Sequence, residues 1–188
     1  MKYAILLLAT SLVALSNPLS AALIWTVAVA LMHATEETKG KLWSYFGETA
    51  GLTFLKEISP LRGFVLIVAP AILLQTVASW NAFSGASVSV FWLCVLIGAR
   101  VGDALFSHAI PFAEGHDSVN GYGALTQRNP GLASAVLYLV DGFALALIFG
   151  KEISAEYQVA VAGITFGAGF FALVIPGLRL VDRLLARK

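Results

Sequence analysis

Residues 21–32 contain no charged side chain, and this apolar stretch ends at His33, which Glu36 and Glu37 follow at three and four positions. On an α-helix these spacings place the three side chains on one face, within reach of a shared proton or metal ion. Ionisable groups at the end of an apolar helix are costly to place in lipid. Two interpretations are open: the carboxylates are solvated where a membrane helix meets water, or they belong to a site.

The composition indicates an integral membrane protein. Hydrophobic residues make up 59% of the 188-residue chain, charged residues make up 12%, and the mean hydropathy is +0.84. These values exclude an ordinary soluble domain and make the lipid bilayer the expected partner. The net charge of +1 gives no electrostatic support for binding nucleic acid. The single cysteine, Cys94, excludes an intrachain disulfide and a cysteine-based zinc site.

We predict an all-α fold: a polytopic transmembrane helix bundle with five spans plus a short N-terminal apolar helix, forming a single domain over residues 1–188. A proline after Asn17 separates the short helix from the first span. The segment that follows the first span mixes basic, acidic and aromatic residues, which is typical of an amphipathic segment at the membrane surface. The predicted short helix covers residues 1–17, the spans cover residues 20–37, 61–80, 88–108, 130–149 and 159–178, and the interfacial segment covers residues 38–60.

The positive charges predict the orientation in the membrane. With five spans, the interfacial segment, the loop before residue 129 and the C-terminal tail lie on one side. That side carries eight positive residues, whereas the other side carries one or two, Lys151 alone or Lys151 with Lys2. The first side should therefore be cytoplasmic, which places the C-terminus in the cytoplasm and the protein in the plasma (inner) membrane.

The third and fourth spans carry further ionisable residues. Arg100 and Asp103 are three positions apart, so they are expected to pair along one helix face. Asp103 and His108 are five positions apart, about 140° around an ideal α-helix, and would converge only where the helix loosens. The proline at position 111 favours such loosening. Asp141 lies near the centre of an apolar span and should be protonated, paired or ligating.

The alternation of spans places these polar groups in one layer. Glu37, Asp103 and His108 fall at the cytoplasmic ends of their helices, as does the helix start at Asn129, Pro130 and Gly131, whose free amides can point at an anion. Scattered polar groups would divide between both ends of the bundle. The clustering therefore predicts a site between helices.

The residue types suggest a divalent metal ion, zinc or iron, because imidazole nitrogens and carboxylate oxygens suit both. We predict His33, Glu37 and His108 as ligands, with Glu36 as a fourth ligand or general base. His116 lies in a polar loop and is expected to stay outside the site.

The predicted catalytic residues are Glu36, Arg100, Asp103 and Asp141. Arg100 would supply positive charge for an anionic head group or a developing oxyanion, and Asp141 would act as a supporting residue or proton acceptor. The substrate would be a lipophilic or amphiphilic small molecule that enters laterally from the bilayer. Hydrolysis and oxidation fit equally well, and the same residues can act without a metal as general acid and base, for example in an isomerisation.

The pentapeptide from His33 to Glu37 resembles the signature of the HXXEE domain family of membrane proteins. The likeness extends to Asp103 and His108 in a later helix and to the helix start at Pro130, and covers roughly residues 21–149. The resemblance implies a helical membrane domain without a settled activity. This chain has Ala34 directly after the histidine, where a carboxylate or glutamine often stands in that family.

Two other functions fit the same residues. Glu36, Asp103, His108 and Asp141 can form the proton relay of a proton-coupled transporter. Alternatively, the polar layer can fix helix packing in a structural subunit or assembly factor, with another membrane protein or a second copy of the chain as partner.

Overall fold

The computed structural model describes residues 17–113 and 131–186, and within these ranges all regular structure is helical. The predicted all-α fold is confirmed for this part of the chain. The helices are α1 Pro18–Gly40, α2 Leu42–Thr49, α3 Thr53–Lys56, α4 Pro60–Phe83, α5 Val90–Ala109 with its continuation Ile110–Ala113, α6 Leu132–Ile148, α7 Gly150–Ala155 and α8 Tyr157–Leu185.

Four of the described helices, α1, α4, α5 and α8, are long and apolar enough to cross a membrane. The fifth apolar helix, α6, has 17 residues, which is near the lower limit of about 17–25 residues for a span. The structure therefore contains four to five apolar helices that could span a membrane, and the number five remains a prediction. The predicted helix at residues 1–17 lies outside the described residues except for Asn17.

Helix α1 begins and ends at residues suited to these positions. The side chain of Asn17 accepts a hydrogen bond of 3.1 Å from the Ser20 amide, and Pro18 occupies the first turn, where its missing N–H costs nothing. The helix continues past the pentapeptide to Gly40. Lys41 ends it with a φ of 56°, and its amide donates to the carbonyls of Glu37 and Thr38.

The two short helices α2 and α3 pack against the ends of the long ones. Tyr45, Leu52 and Leu55 are fully buried in a cluster that includes Val68 of α4, whereas the neighbouring Lys56 is exposed. The apolar side chains of the predicted interfacial segment thus form part of the core.

Helix α5 is the central helix of the bundle, since it packs against α4, α6 and α8 and is mostly buried. Two segments of the long helices widen into π-helix, at Phe64–Val68 in α4 and at Asp103–Ala109 in α5. A proline follows each segment, Pro70 and Pro111. Each proline lacks the amide that would bond to the carbonyl four residues earlier, and that carbonyl lies within the π segment in both cases. The prolines therefore account for the widened turns.

Glycines let α5 and α8 approach each other closely. A Cβ atom added at Gly98 would lie 2.8 Å from the Ile164 Cα, and one added at Gly102 would lie 2.8 Å from the Ala168 Cα. A Cβ atom at Gly167 would meet the Val95 carbonyl in the same way. Such close backbone contact is a usual means of holding membrane helices together.

We expect Gly167→Val to destabilise the bundle by about 1–3 kcal/mol, because the added side chain must push α8 away from α5. Unfolding of the detergent-solubilised protein by heat measures this loss. Gly169→Val is the matched control, since Gly169 lies on the same helix and a Cβ atom there meets open space. Equal stability of the two variants would contradict the close packing.

Candidate metal centre

Four buried side chains from α1 and α5 meet at one point: His33, Glu37, Asp103 and His108. His33 Nε2 lies 3.4 Å from Glu37 Oε1, 3.1 Å from Asp103 Oδ2 and 3.2 Å from His108 Nε2. His108 Nε2 lies 3.6 Å from Glu37 Oε1 and 3.9 Å from Asp103 Oδ1. One ligand atom from each residue lies within 4.8 Å of all the others. We call these four residues the His/carboxylate group.

Helix geometry explains how each pair reaches this point. His33 and Glu37 are four positions apart on α1, so they share a face. Asp103 and His108 lie in the π segment of α5. A π-helix bonds residue i to residue i+5 and so brings residues five apart to the same side, which an ordinary α-helix does not. The widened turn thus turns both side chains towards α1.

Ser134 of α6 fixes the orientation of the His33 ring. Ser134 Oγ lies 2.7 Å from His33 Nδ1 and donates its own proton to the Gly131 carbonyl at 3.3 Å. With the hydroxyl proton on that bond, Ser134 Oγ can accept from an N–H at Nδ1, and in this tautomer of the neutral ring Nε2 presents a lone pair to the His/carboxylate group. This is the usual arrangement of a metal-binding histidine, whose second nitrogen donates to a neighbouring oxygen.

Two further residues of the α6 region enclose the group. The Tyr138 ring lies 4.1 Å from the His33 ring, centroid to centroid. Gly131 has a φ of +93°, and a Cβ atom there would come within 2.8 Å of His108 Nε2 and 3.0 Å of Glu37 Cγ. Only glycine satisfies both the backbone conformation and the lack of space at this position.

Glu36 lies beside the group but outside the four converging ligand atoms. Its Oε2 accepts a hydrogen bond of 3.0 Å from the Ser134 amide in the first turn of α6. The predicted anion at this helix start is therefore a side chain of the protein itself. Its other oxygen, Oε1, is buried and has no hydrogen-bond partner among residues 17–113 and 131–186.

The predicted pair between Arg100 and Asp103 is wrong: Arg100 pairs with Asp141 of α6. Arg100 also donates to the Thr26 carbonyl at 2.7 Å, and Asp141 accepts a hydrogen bond of 2.7 Å from the indole of Trp25. The guanidinium of Arg100 is thus paired with a carboxylate on a facing helix, and Asp103 contacts the histidines instead. The guanidinium carbon lies 5.0 Å from the centre of the Tyr138 ring, so this ion pair supports the ring that packs on His33.

The distances in the His/carboxylate group fit a metal ion. In a tetrahedral site with metal–ligand bonds of about 2.0–2.1 Å, the ligand atoms lie roughly 3.3–3.4 Å apart. The separations among His33 Nε2, His108 Nε2 and Glu37 Oε1 are 3.2, 3.4 and 3.6 Å. The two to Asp103, 3.1 and 3.9 Å, end on its two different carboxylate oxygens. Among the described residues, no donor is well aligned for a hydrogen bond to the buried Asp103 Oδ2, although His33 Nε2 is 3.1 Å away. This alignment suits a shared ion at the centre of the group.

The two buried carboxylates of the His/carboxylate group also favour a bound cation. Glu37 and Asp103 bring two negative charges into a buried place, which is costly without compensation. A divalent cation neutralises both carboxylates while the imidazoles stay neutral. Protonation of both imidazoles at Nε2 would set two N–H donors against each other at 3.2 Å, whereas a single proton between the two rings forms a hydrogen bond but neutralises only one of the two carboxylates.

The structure thus brings His33, Glu37, Asp103 and His108 together, and places Glu36 beside them. The sequence predicts Asp103 as a catalytic residue and Glu36 as a fourth ligand or general base. Arg100 and Asp141 lie behind the site, and His116, Asn129 and Pro130 lie outside the described residues. Four residues around the site were not predicted from the sequence: Ser134, Tyr138, Thr26 and Trp25. One signal pointed to the first two: with Asp141 they recur at intervals of four and three on α6, which places them on one helix face.

Comparisons of the chain with models of known protein families, with curated proteins and with solved structures give no match.

Proposed function

We propose that the protein binds zinc or iron at His33, Glu37, Asp103 and His108 and acts as a metal-dependent membrane enzyme on a lipophilic or amphiphilic substrate. One observation carries this proposal. Four potential ligand atoms from two helices converge in a buried place within 4.8 Å of one another, and three of them, on His33, His108 and Glu37, have separations close to those of a tetrahedral site.

The ligand types support zinc or iron in particular. Two imidazole nitrogens and two carboxylate oxygens are common ligands of zinc, and two histidines with a carboxylate are also the ligands of non-haem iron enzymes. Such an ion supplies Lewis-acid chemistry or, in the case of iron, redox chemistry. Hydrolysis and oxidation therefore both remain within the proposal.

Glu36 is the proposed general base. Its buried Oε1 has no hydrogen-bond partner in the part of the chain that the structure describes, so we propose this oxygen as the proton acceptor. The same residue, Ser134, binds both Glu36 and His33, which keeps the base next to the His/carboxylate group.

Arg100 and Asp141 are proposed as positioning residues. Arg100 is fully buried and bonds to Asp141 and the Thr26 carbonyl, so it is not available to bind an anionic substrate. Its contact with Tyr138 instead holds the ring that packs on His33.

We further propose that the site lies near the cytoplasmic face of the plasma membrane. The end of the bundle that holds the site also carries Lys39 and Lys41, directly after the pentapeptide, and Arg179 near the end of α8. This agrees with the excess of positive residues expected on the cytoplasmic side. Membership of the HXXEE family is part of the same proposal and rests on the pentapeptide.

Metal analysis of the purified protein tests the function. We expect about one zinc or iron ion per chain. Removal by a chelator should lower the midpoint of thermal unfolding, and zinc or iron at about 100 times its Kd should restore about 2.7 kcal/mol. Magnesium is the control and should restore nothing, because it prefers oxygen-only ligands. A protein without transition metal, whose stability neither zinc nor iron changes, would overturn the proposal.

A further inference from the structure

An apolar pocket of about 380 Å³ leads to the His/carboxylate group from the side of the bundle. This volume is within the range of about 300–1,000 Å³ for small-molecule sites. The lining comes from α1, α2, α4, α5 and α8, and is apolar except for Glu37, Asp103 and Ser107. Two of these three polar residues are members of the group, so the pocket reaches the proposed metal site directly.

The outer part of the pocket faces the bilayer. Its lining includes Leu66 of α4 and Leu173 of α8, whose side chains are 52% and 68% exposed. Both helices are long and apolar enough to span a membrane, so side chains exposed on them contact lipid. An apolar chain can therefore pass from the bilayer into the pocket between α4 and α8 without crossing water.

The charges around the pocket determine which polar group a bound molecule can carry. Among the described residues that line it, none is lysine or arginine, and the two charged ones are Glu37 and Asp103. A divalent ion would bring these carboxylates to neutrality but would leave no excess positive charge. A hydroxyl, ester or carbonyl group is therefore accepted there at lower cost than a phosphate or a free carboxylate.

We infer that the substrate is a neutral lipid with a single apolar chain, which binds with its chain in this pocket and its hydroxyl, ester or carbonyl group at Glu37 and Asp103. The inference rests on the proposed function and specifies its substrate class. The chain slides in from the bilayer between α4 and α8, and its polar end arrives at the His/carboxylate group.

Photolabelling with a long-chain fatty alcohol that carries a diazirine in its chain tests the inference. In nanodiscs, the wild-type protein should be labelled on pocket residues such as Leu66, Phe170 and Val174, and excess unlabelled alcohol should compete. Gly177→Trp should reduce this labelling at least tenfold, because Gly177 lines the pocket and a side chain there meets open space. Gly169→Trp is the matched control, since position 169 is equally open but is not part of the pocket lining.

A fatty acid of the same length with the same diazirine should label the pocket several-fold less than the alcohol. Labelling that spreads evenly over the lipid-facing surface, that the unlabelled alcohol does not compete, or that favours the acid would overturn the inference. The competition experiment uses only the wild-type protein. It therefore still tests the inference if the Gly177→Trp variant does not fold. Metal content is measured in parallel: a metal-free protein whose pocket still binds the alcohol would contradict the proposed function alone, and a metal-loaded protein without pocket labelling would contradict this inference alone.

Discussion

The variants His33→Ala and His108→Ala are each expected to lose the bound metal while the helices remain folded. Both imidazoles face the shared centre through Nε2, and removal of either leaves at most three ligands. Changes to residues that merely orient a ligand cost about 10–100-fold in metal affinity. Loss of a ligand itself should therefore cost at least about 100-fold. Titration of the chelator-treated protein with zinc, followed by calorimetry, measures the affinity.

Two other variants complete this experiment. His116→Ala removes the remaining histidine of the chain and should leave the affinity unchanged, because we place His116 outside the site. Ser134→Ala removes the oxygen that orients His33 and should weaken binding by about 10–100-fold. If His108→Ala bound zinc as tightly as the wild type, the His/carboxylate group would not be the metal site.

The variant Asp141→Asn is expected to lose about 3–5 kcal/mol of stability, because it leaves the buried Arg100 charge without its counter-ion. Arg100 without its counter-ion then no longer supports the Tyr138 ring, which packs on His33. We therefore also expect weaker metal binding by His33. Unfolding of the detergent-solubilised protein gives the stability, and zinc titration gives the affinity.

A double variant shows whether the unpaired charge is the cause. Replacement of Arg100 by methionine together with Asp141 by leucine removes both charges, and buried pairs replaced in this way often regain full stability. We therefore expect the double variant to be markedly more stable than Asp141→Asn. Glu152→Gln, on the exposed helix α7, is the control and should change stability by less than about 0.5 kcal/mol. A fully stable Asp141→Asn would mean that the pair does not matter for folding.

Much of the architecture could be predicted from the long apolar stretches of the sequence, which contain few or no charged residues. Apolar stretches long enough to span a membrane are a local property of the sequence, and the alternation of sides follows from counting them. The same count predicts that His33 on α1 and His108 on α5 lie at one end of the bundle, and the structure places their Nε2 atoms 3.2 Å apart. The ligand roles of these residues remain predictions.

The details that could not be predicted depend on the three-dimensional packing. The spacing of three between Arg100 and Asp103 suggests a local pair, but a facing helix offers Asp141, and the tertiary contact prevails. That leaves Asp103 free to join the histidines, which the spacing of an ideal α-helix did not indicate and which the loosening expected from Pro111 allowed. The pocket depends on how several helices pack around it, and no local pattern encodes that.

The π segment of α5 makes the site depend on the length of the chain as well as on its chemistry. If this segment were an ordinary α-helix of the same sequence, the five residues from Asp103 to His108 would turn the chain by about 500° and leave the two side chains about 140° apart. Every ligand would then still be present in the sequence, yet the two would no longer face α1 together. A search for related chains should therefore weigh the interval between this acid and this histidine as heavily as their identities.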